Sequence, residues 1–582
     1  MGRWPAMDGR RWRCHDHAES GCHRCRGRWK LTPHPALTPG GANGPGAPLA
    51  HFPAGDARGY RADGLCVYKG IPYSMPPTGQ RRWQPPSPAP RWPGVREAVR
   101  SGPGCVQPAR RAASIYASPL DETAEDCLYL DVWAPEGARK LPVVVWIHGG
   151  SLIWGAGSEG LHDGSNLARR GAVVVSINYR LGVFGYLAHP GLSAESPDGV
   201  SGNYGLLDQI AALQWVRRNI AAVGGDPDDV TVAGESAGAL SVLCLMAAPA
   251  ARGLFARAIA QSAYMISLPS LKDARNGHEA AETTGRGLAA NLGAGNLEAL
   301  RAMDAQALAD AALRSGFTPT VTVDGYLVPD QLVDIFERGE HAGVPLIVGF
   351  NSGEIRSLPF LLPALPATAG AYEDEIRARY GDLAERFLAQ YPCADIAESA
   401  LACVRDALYG WTALKLANAQ KAVAAPAFVY YFDHACPAAR EAGLHGFHAG
   451  ELPYLFGTAD RMPPLWPAIP DSPTERALSR AIGDYWISFA RDGVPTSSGW
   501  PDWPEHARTG AYMRFAGEPL VGTDLLPGMF ALNDDVIARR RAAGDTPWNW
   551  NVGVAAPLPS RPPTRSVPTE IVCRTSTDPG GE

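Results

Sequence analysis

The chain has 582 residues, 46% of them hydrophobic and 19% charged, with a formal net charge of −6. That length buries a large core, as one big α/β domain or a few smaller ones. The mild negative balance, with no basic run interleaved with aromatics, excludes an electrostatic footprint for nucleic acid, and no run reaches the ~20 apolar residues of a membrane span.

Residues 1–56 read as a disordered N-terminal extension: rich in Arg, Trp, Pro and Gly, without period, and ending in the Pro/Gly/Ala run up to Pro53. Its basic start lacks the apolar stretch of a secretory signal. Cys14, His15, His17, Cys22, His23 and Cys25 invite a zinc reading, but their spacing fits no standard finger, and no metal site is assigned. Order is expected from Ala57. Gly64–Tyr73 reads as a strand closed by Pro76 and Pro77. Cys105 and Cys127 bracket a loop of about 22 residues, whose covalent closure would contribute about 3 kcal/mol; two unpaired thiols are the alternative.

Leu141–Ile147 and Ala172–Ile177 are β-branched, buried-strand runs separated by a short polar loop. A helix with one apolar face runs from Asn203, a good N-cap, to the stop at Gly224-Gly225-Asp226-Pro227. The Val230 strand then runs into Gly234-Glu235-Ser236-Ala237-Gly238, and a helix-forming run follows. A serine at the apex of such a strand–turn–helix is held out in a strained conformation, with the helix N-terminus behind it. Further strands are expected at Arg257–Ala260, Pro345–Gly349 and Ala427–Phe432, with helices at Ala371–Arg379 and Leu383–Gln390. Ser472-Pro473-Thr474-Glu475 is a capping box for a helix to Arg491. Strands alternating with helices predict a large, mostly parallel central sheet with helices on both faces, over residues 57–552. Residues 553–582 read as a Pro/Ser/Thr-rich disordered tail.

A serine becomes nucleophilic only when an oriented base takes its proton. In a sheet of this kind the partners follow in the order serine, acid, histidine, on loops at the strands' C-terminal ends. Glu354 stands on the loop after the Pro345 strand. The downstream histidines are His434, His445, His448 and His506; His445 and His448 share one loop, and spacing does not choose between them.

Glu125-Asp126-Cys127-Leu128-Tyr129-Leu130-Asp131-Val132-Trp133, the Asn203 helix, Gly234–Gly238 and Glu451-Leu452-Pro453-Tyr454-Leu455-Phe456-Gly457 together resemble the type-B carboxylesterase family, the cholinesterase-like branch of the α/β-hydrolases. The resemblance covers about Ala57 to Asn551 and implies an α/β-hydrolase fold. It selects His448, three residues before Glu451, and the Asn351-x-x-Glu354 loop for the acid. Ser236, Glu354 and His448 are thereby implied as nucleophile, orienting acid and general base.

The oxyanion-hole N–H donors it implies are Gly150, Ser151 and Ala237, with Ser151 standing where the family has a third glycine. Glu235, Ser262 and Glu451 match a supporting polar network, Arg82–Glu125 and Arg180–Asp208 match ion pairs, and Cys105–Cys127 matches the family's first disulfide. Cys393 and Cys403 are a weaker candidate pair, and Cys244 is expected to be a buried free thiol. The implied activity is hydrolysis of a small-molecule carboxylic ester through an acyl-enzyme, with no metal or organic cofactor.

The Cys105–Cys127 loop holds Tyr116, Arg110 and Arg111 but no Trp, which argues against a cationic ester and for neutral or aromatic ones. Trp154, Tyr264, Met265, Phe360 and Leu361 are candidates for pocket walls. A non-catalytic binding module on the same fold is the rival from another class; a lipase or a specialised phenolic or toxin ester hydrolase are rivals within the enzyme class.

Overall fold

The computed structural model describes residues 46–110, 114–549 and 551–558. Among these the strands in chain order are β1 Leu49–Phe52, β2 Gly55–Arg58, β3 Tyr60–Ala62, β4 Leu65–Pro72, β5 Val95–Glu97, β6 Gly104–Cys105, β7 Thr123–Ala124 and β8 Tyr129–Pro135. They continue with β9 Leu141–Ile147, β10 Val173–Ile177, β11 Gly225–Glu235, β12 Arg257–Gln261, β13 Leu346–Asn351, β14 Ala427–Phe432, β15 Ala511–Phe515 and β16 Pro519–Thr523.

Eleven of them form one sheet in the order β16-β15-β14-β13-β12-β11-β9-β10-β8-β4-β3. The block from β10 to β15 is parallel and the flanks are antiparallel, so the sheet is mixed with a parallel centre. The central strands read as unbroken apolar runs because both faces are covered. In β9, Val143, Val145 and Ile147 enter one core with the Tyr204–Asn219 and Ala237–Ala247 helices. Val144 and Trp146 enter the other, with the Pro473–Asp492 helix.

Several expectations change. Order starts before Ala57: β1 pairs with β2, and Phe52 is buried against Tyr68 and Trp215. The alternation Leu49-Ala50-His51-Phe52 was masked by the Pro and Gly around it. At the other end Val552 and Ala556 are buried and the Gly553 N–H donates to the Tyr380 hydroxyl at 2.7 Å, so the fold does not stop at residue 552. The rest of the proposed extension and tail, residues 1–45 and 559–582, lies outside the described residues, with the Cys/His cluster of the extension.

The segment between β9 and β10 is more than a polar loop, holding a 3-10 turn, Gly160–His162, and a short helix, Ser165–Ala168. Asn203 does not cap its helix; its amide donates to the Thr322 carbonyl and Asp324, tying the helix start to a distant loop. Ser472 does accept from the Glu475 N–H, but the Glu475 carboxylate turns to His434 and Tyr454, so only half of the capping box forms.

The expected Cys105–Cys127 disulfide is not formed; both are buried free thiols. Cys105 Sγ accepts the Leu181 N–H at 3.2 Å, and its hydrogen bond with Cys127, followed by burial, holds the Cys127 thiol protonated well above its usual range. Cys393 and Cys403 are also free thiols, as is the fully buried Cys244. The two expected ion pairs are present and bidentate: Arg82 on Glu125 at 2.6 Å twice, and Arg180 on Asp208 at 2.7 Å twice. No helix among the described residues is long and apolar enough to cross a membrane.

Candidate active site

β11 ends at Glu235 and the Ala237–Ala247 helix begins immediately after it, leaving Ser236 alone to reverse the chain. It does so at φ 56° and ψ −121°, a region that costs a non-glycine residue of order 1–3 kcal/mol and persists only where the surroundings enforce it. They do so here. The Ser236 N–H is bonded to the Gln261 carbonyl at 2.9 Å, and a Cβ on Gly234 or Gly238 would run into the backbone of the crossing segment. The first N–H groups of the helix have no intrahelical acceptor, so they favour negative charge beside Ser236.

Two parallel strands, β13 and β14, deliver the carboxylate and the imidazole to the same edge of the sheet. Glu354 opens a 3-10 turn, Glu354–Ser357, three residues beyond the end of β13. His448 follows β14, on the loop between the short Pro437–Glu441 helix and the Leu452–Phe456 helix. That loop is pinned to the acid's loop by the Gly353 N–H on the Gly446 carbonyl at 2.7 Å and by the Asn351 amide on the Phe447 carbonyl at 2.8 Å. The pinning separates the two histidines: His448 is buried against Glu354, whereas His445 is exposed.

His448 Nδ1 lies 2.5 Å from Glu354 Oε2. The other carboxylate oxygen, Oε1, accepts the Ser262 hydroxyl at 2.6 Å and the Asn351 N–H at 2.8 Å. With Nδ1 donating to the acid, the neutral ring has its lone pair on Nε2, as a general base requires. In this structure Nε2 faces Glu235 Oε1 at 3.1 Å, and the Ser236 hydroxyl has no hydrogen-bond partner among the described residues. Glu235 is the chain neighbour of Ser236, so the serine and the glutamate compete for one ring edge.

Glu235, Glu354 and Glu451 crowd into this buried site, with His448 opposite them. Burial, and then the other two carboxylates against the pull of His448, push Glu235 up to about 8. Glu451 is raised as well, chiefly by burial, although it accepts the Gln261 amide at 2.9 Å and the Asn351 amide at 2.6 Å. Burial alone would lower His448, but the carboxylates, Glu235 first, raise it to about 9.

The turn that holds Gly150 and Ser151 follows β9. His148 is buried, stacked on Tyr179 with centroids 4.6 Å apart, and burial lowers it to about 3, so it is neutral. Tyr179 donates to the His148 carbonyl at 2.8 Å. This fixes the start of a turn in which Gly150, Ser151 and Leu152 all have positive φ, 102°, 59° and 60°. The Gly150 carbonyl accepts both the Ile153 and Trp154 N–H groups. Among the described residues the N–H groups of Gly150, Ser151 and Ala237 have no hydrogen-bond acceptor.

Two neighbours of the site were not singled out by sequence reasoning, one in its polar network and one a ring packed beside it. Gln261, paired in register with Glu235 across β11 and β12, holds Glu451 and is held in turn by Trp486 Nε1 at 3.0 Å. Its position just before Ser262 was the available signal. Tyr409 lies on a π-helical turn, Asp406–Gly410, with its ring 5.5 Å from His448 and edge-on to Tyr264; nothing in the sequence marked it. Of the pocket-wall candidates, Tyr264 is half-buried beside Tyr409, Met265 is fully buried core, and Phe360 points outward at 60% exposure. Arg110 lies over the Trp154 ring at 5.0 Å; Arg111 lies outside the described residues.

The family model of the carboxylesterases matches residues 47–526. Fumonisin B1 esterase of Sphingopyxis macrogoltabida is 35% identical over 487 residues, which cover 81% of this chain and 86% of that protein. Para-nitrobenzyl esterase of Bacillus subtilis is 37% identical over 479 residues, covering 78% of this chain and 92% of that one. A solved PNB esterase structure superposes with a TM-score of 0.73 at 34% identity, covering 84% of this chain and 99% of that chain. Similarity along the whole length of these proteins, added to the strained serine and the buried acid–histidine pair, makes this chain a member of the carboxylesterase family, a serine-type hydrolase of carboxylic esters.

Proposed function

We propose that Ser236 is the nucleophile, His448 the general base and Glu354 the acid that orients it. Gly150, Ser151 and Ala237 supply the oxyanion donors, and Glu235, Ser262 and Glu451 support the histidine. The observation that carries the reading is the 2.5 Å contact of His448 Nδ1 with a fully buried Glu354, on loops that also converge on the strained Ser236. Nε2 leaves Glu235 for the Ser236 hydroxyl and takes its proton as Oγ attacks the ester carbonyl. The carbonyl oxygen gains negative charge and is met by the three free N–H groups. Collapse expels the alcohol, which leaves with the proton from Nε2. Water repeats the sequence on the acyl-serine and releases the acid, so no other reactant is consumed.

Neutral or aromatic esters are the substrate class. The loop from Cys105 to Cys127 offers no tryptophan face for a cation, and it carries Arg110, while Tyr409, with Tyr264 edge-on to it, puts aromatic surface beside His448. The similarity to a para-nitrobenzyl esterase supports the same class.

The test is p-nitrophenyl acetate and butyrate turnover by wild type, Ser236→Ala, His448→Ala and His445→Ala. Loss of about 1,000-fold or more is expected for the first two variants and near-normal rates for the third. An active Ser236→Ala variant, or a wild type whose Ser236 a fluorophosphonate leaves unlabelled, overturns the assignment.

A further inference from the structure

Tyr116 stands on neither the nucleophile's element, the acid's loop nor the histidine's loop, yet its hydroxyl reaches the last two. It lies 3.0 Å from the His448 carbonyl oxygen and 2.6 Å from Ser357 Oγ. Ser357 closes the same 3-10 turn that Glu354 opens. The Tyr116 ring also stands edge-on to His448, with centroids 6.3 Å apart, and to Trp466 at 5.8 Å. A phenol has one proton to give, and here the Tyr116 O–H is directed at both the Ser357 Oγ and the His448 carbonyl, so it bridges the two. Burial, against the opposing bond with Ser357, holds the phenol protonated well above its usual range, so the donor does not titrate away.

We infer that Tyr116 is a positioning residue for catalysis: it cross-ties the backbone of the histidine to the turn that carries the acid, and so sets the Nδ1–Glu354 contact. This rests on the triad assignment above. The side-chain contact between His448 and Glu354 spans two loops that could otherwise shift independently, and orientation of this kind must hold to a fraction of an ångström for a base to act. The Gly353–Gly446 and Asn351–Phe447 bonds tie these loops from below the histidine, near the sheet. Tyr116 ties them again from a third segment, the one between Cys105 and Cys127. Because neither cysteine is bonded to the other, that segment is held by contacts of this sort rather than by a covalent loop.

The experiment compares wild type, Tyr116→Phe and Ser357→Ala in p-nitrophenyl butyrate turnover, with rates expressed per site titrated by a fluorophosphonate. Tyr116→Phe keeps the ring packing and loses both hydrogen bonds. Its kcat is expected to fall about tenfold with KM within about twofold. The acid limb of its kcat/KM profile should move to lower pH, because a looser contact weakens Glu354's hold on the imidazolium. The groups facing His448 in that titration are Glu354, Glu235 and Glu451, with the Tyr116 and Tyr409 rings beside it. Ser357→Ala leaves the bond to the carbonyl in place and should stay within about threefold of wild type.

The low-field proton resonance of the His448 Nδ1–H, recorded on the whole protein, supplies a second readout that does not depend on turnover. It should shift or broaden in Tyr116→Phe only. Unchanged kcat, pH limb and resonance in Tyr116→Phe overturns the inference, and so does an effect confined to KM, which would make Tyr116 a pocket wall. If wild type itself turns over no ester and Ser236 stays unlabelled, the triad assignment has failed instead.

Discussion

Two buried ionic clusters in this molecule have opposite characters. Arg180 and Asp208 are fully buried, and the carboxylate accepts two guanidinium bonds and the Arg180 N–H, while the third guanidinium nitrogen donates to the Gln84 carbonyl. Every polar atom has a fixed partner. Glu235 and His448 are nearly as deep, but among the described residues Glu235 Oε1 has no other partner than the imidazole edge, the Asn351 side-chain oxygen has none, and the N–H groups of Gly150, Ser151 and Ala237 have no acceptor. A saturated cluster pins loops and does no chemistry. An unsaturated one keeps room for a reacting oxygen and a travelling proton, and an unsatisfied buried polar group in a native structure is for that reason a pointer to function.

The largest effect separating the two clusters is expected from Glu354→Gln. The carboxamide keeps the shape but no longer fixes the imidazole tautomer or stabilises the imidazolium, so kcat should drop by roughly 1,000-fold or more, with thermal unfolding little changed. Retained turnover would mean that the buried acid is structural and that the two clusters do not differ in kind. Arg180→Met is the mirror experiment. It strands Asp208 in the core, and a loss of about 3–5 kcal/mol should appear as a lower unfolding midpoint in urea, while turnover per titrated site stays near normal. Catalytic loss without destabilisation would reverse the contrast.

Glu235→Gln sharpens the comparison within the reactive cluster. His448 is raised to about 9 against its burial, with Glu235 the foremost of the carboxylates doing so. The base must be neutral to act, so activity rises as pH climbs through that value. Removing one negative charge should move the acid limb of kcat/KM to lower pH by about one unit or more. The same sign governs stability: a histidine raised in the folded state contributes fully below its unfolded value near 6.5 and loses that contribution as pH rises through about 9. A limb that stays put, or moves up, would show that Glu235 does not face the working imidazole. The smallest effect belongs to Ser151→Gly. At φ 59° the serine Cβ is strained, and glycine should stabilise the fold by about 0.5–1 kcal/mol while opening the oxyanion turn to longer acyl groups. A butyrate-to-acetate rate ratio equal to wild type would remove Ser151 from the acyl side of the site.

How much of this was legible follows from how local each signal is. The serine elbow is written in a handful of consecutive residues, because a strand, a tight turn and a helix each leave a local pattern, and the structure reproduces it. Glu354 is visible through a strand end. Spacing does not separate His445 from His448, since both stand on one loop; what sets His448 against Glu354 is bonds from Gly353 and Asn351, residues nearly a hundred positions away. Asn203 has the sequence of a cap and serves instead as a tie to Thr322 and Asp324, a tertiary override of a local preference. The β1–β2 hairpin was hidden by glycine and proline on either side of an amphipathic four-residue strand. The cysteine pair shows the limit of carrying a pattern over: the positions match, the neighbourhood matches, and the bond is not made.

The order of the strands also sets a timetable. Ser236 follows β11, Glu354 follows β13 and His448 follows β14, so during synthesis the serine leaves the ribosome long before the histidine. Until β14 and β15 arrive, the growing sheet ends on bare apolar strands such as Leu346–Asn351, whose open edge is a template for pairing with other chains. The strained turn at Ser236 has no histidine to serve in that interval, and its cost is borne by an unfinished fold. Slow synthesis across residues 352–426 would prolong that exposure, and the yield of soluble enzyme should therefore depend on translation speed and chaperone supply more than the stability of the finished protein would suggest.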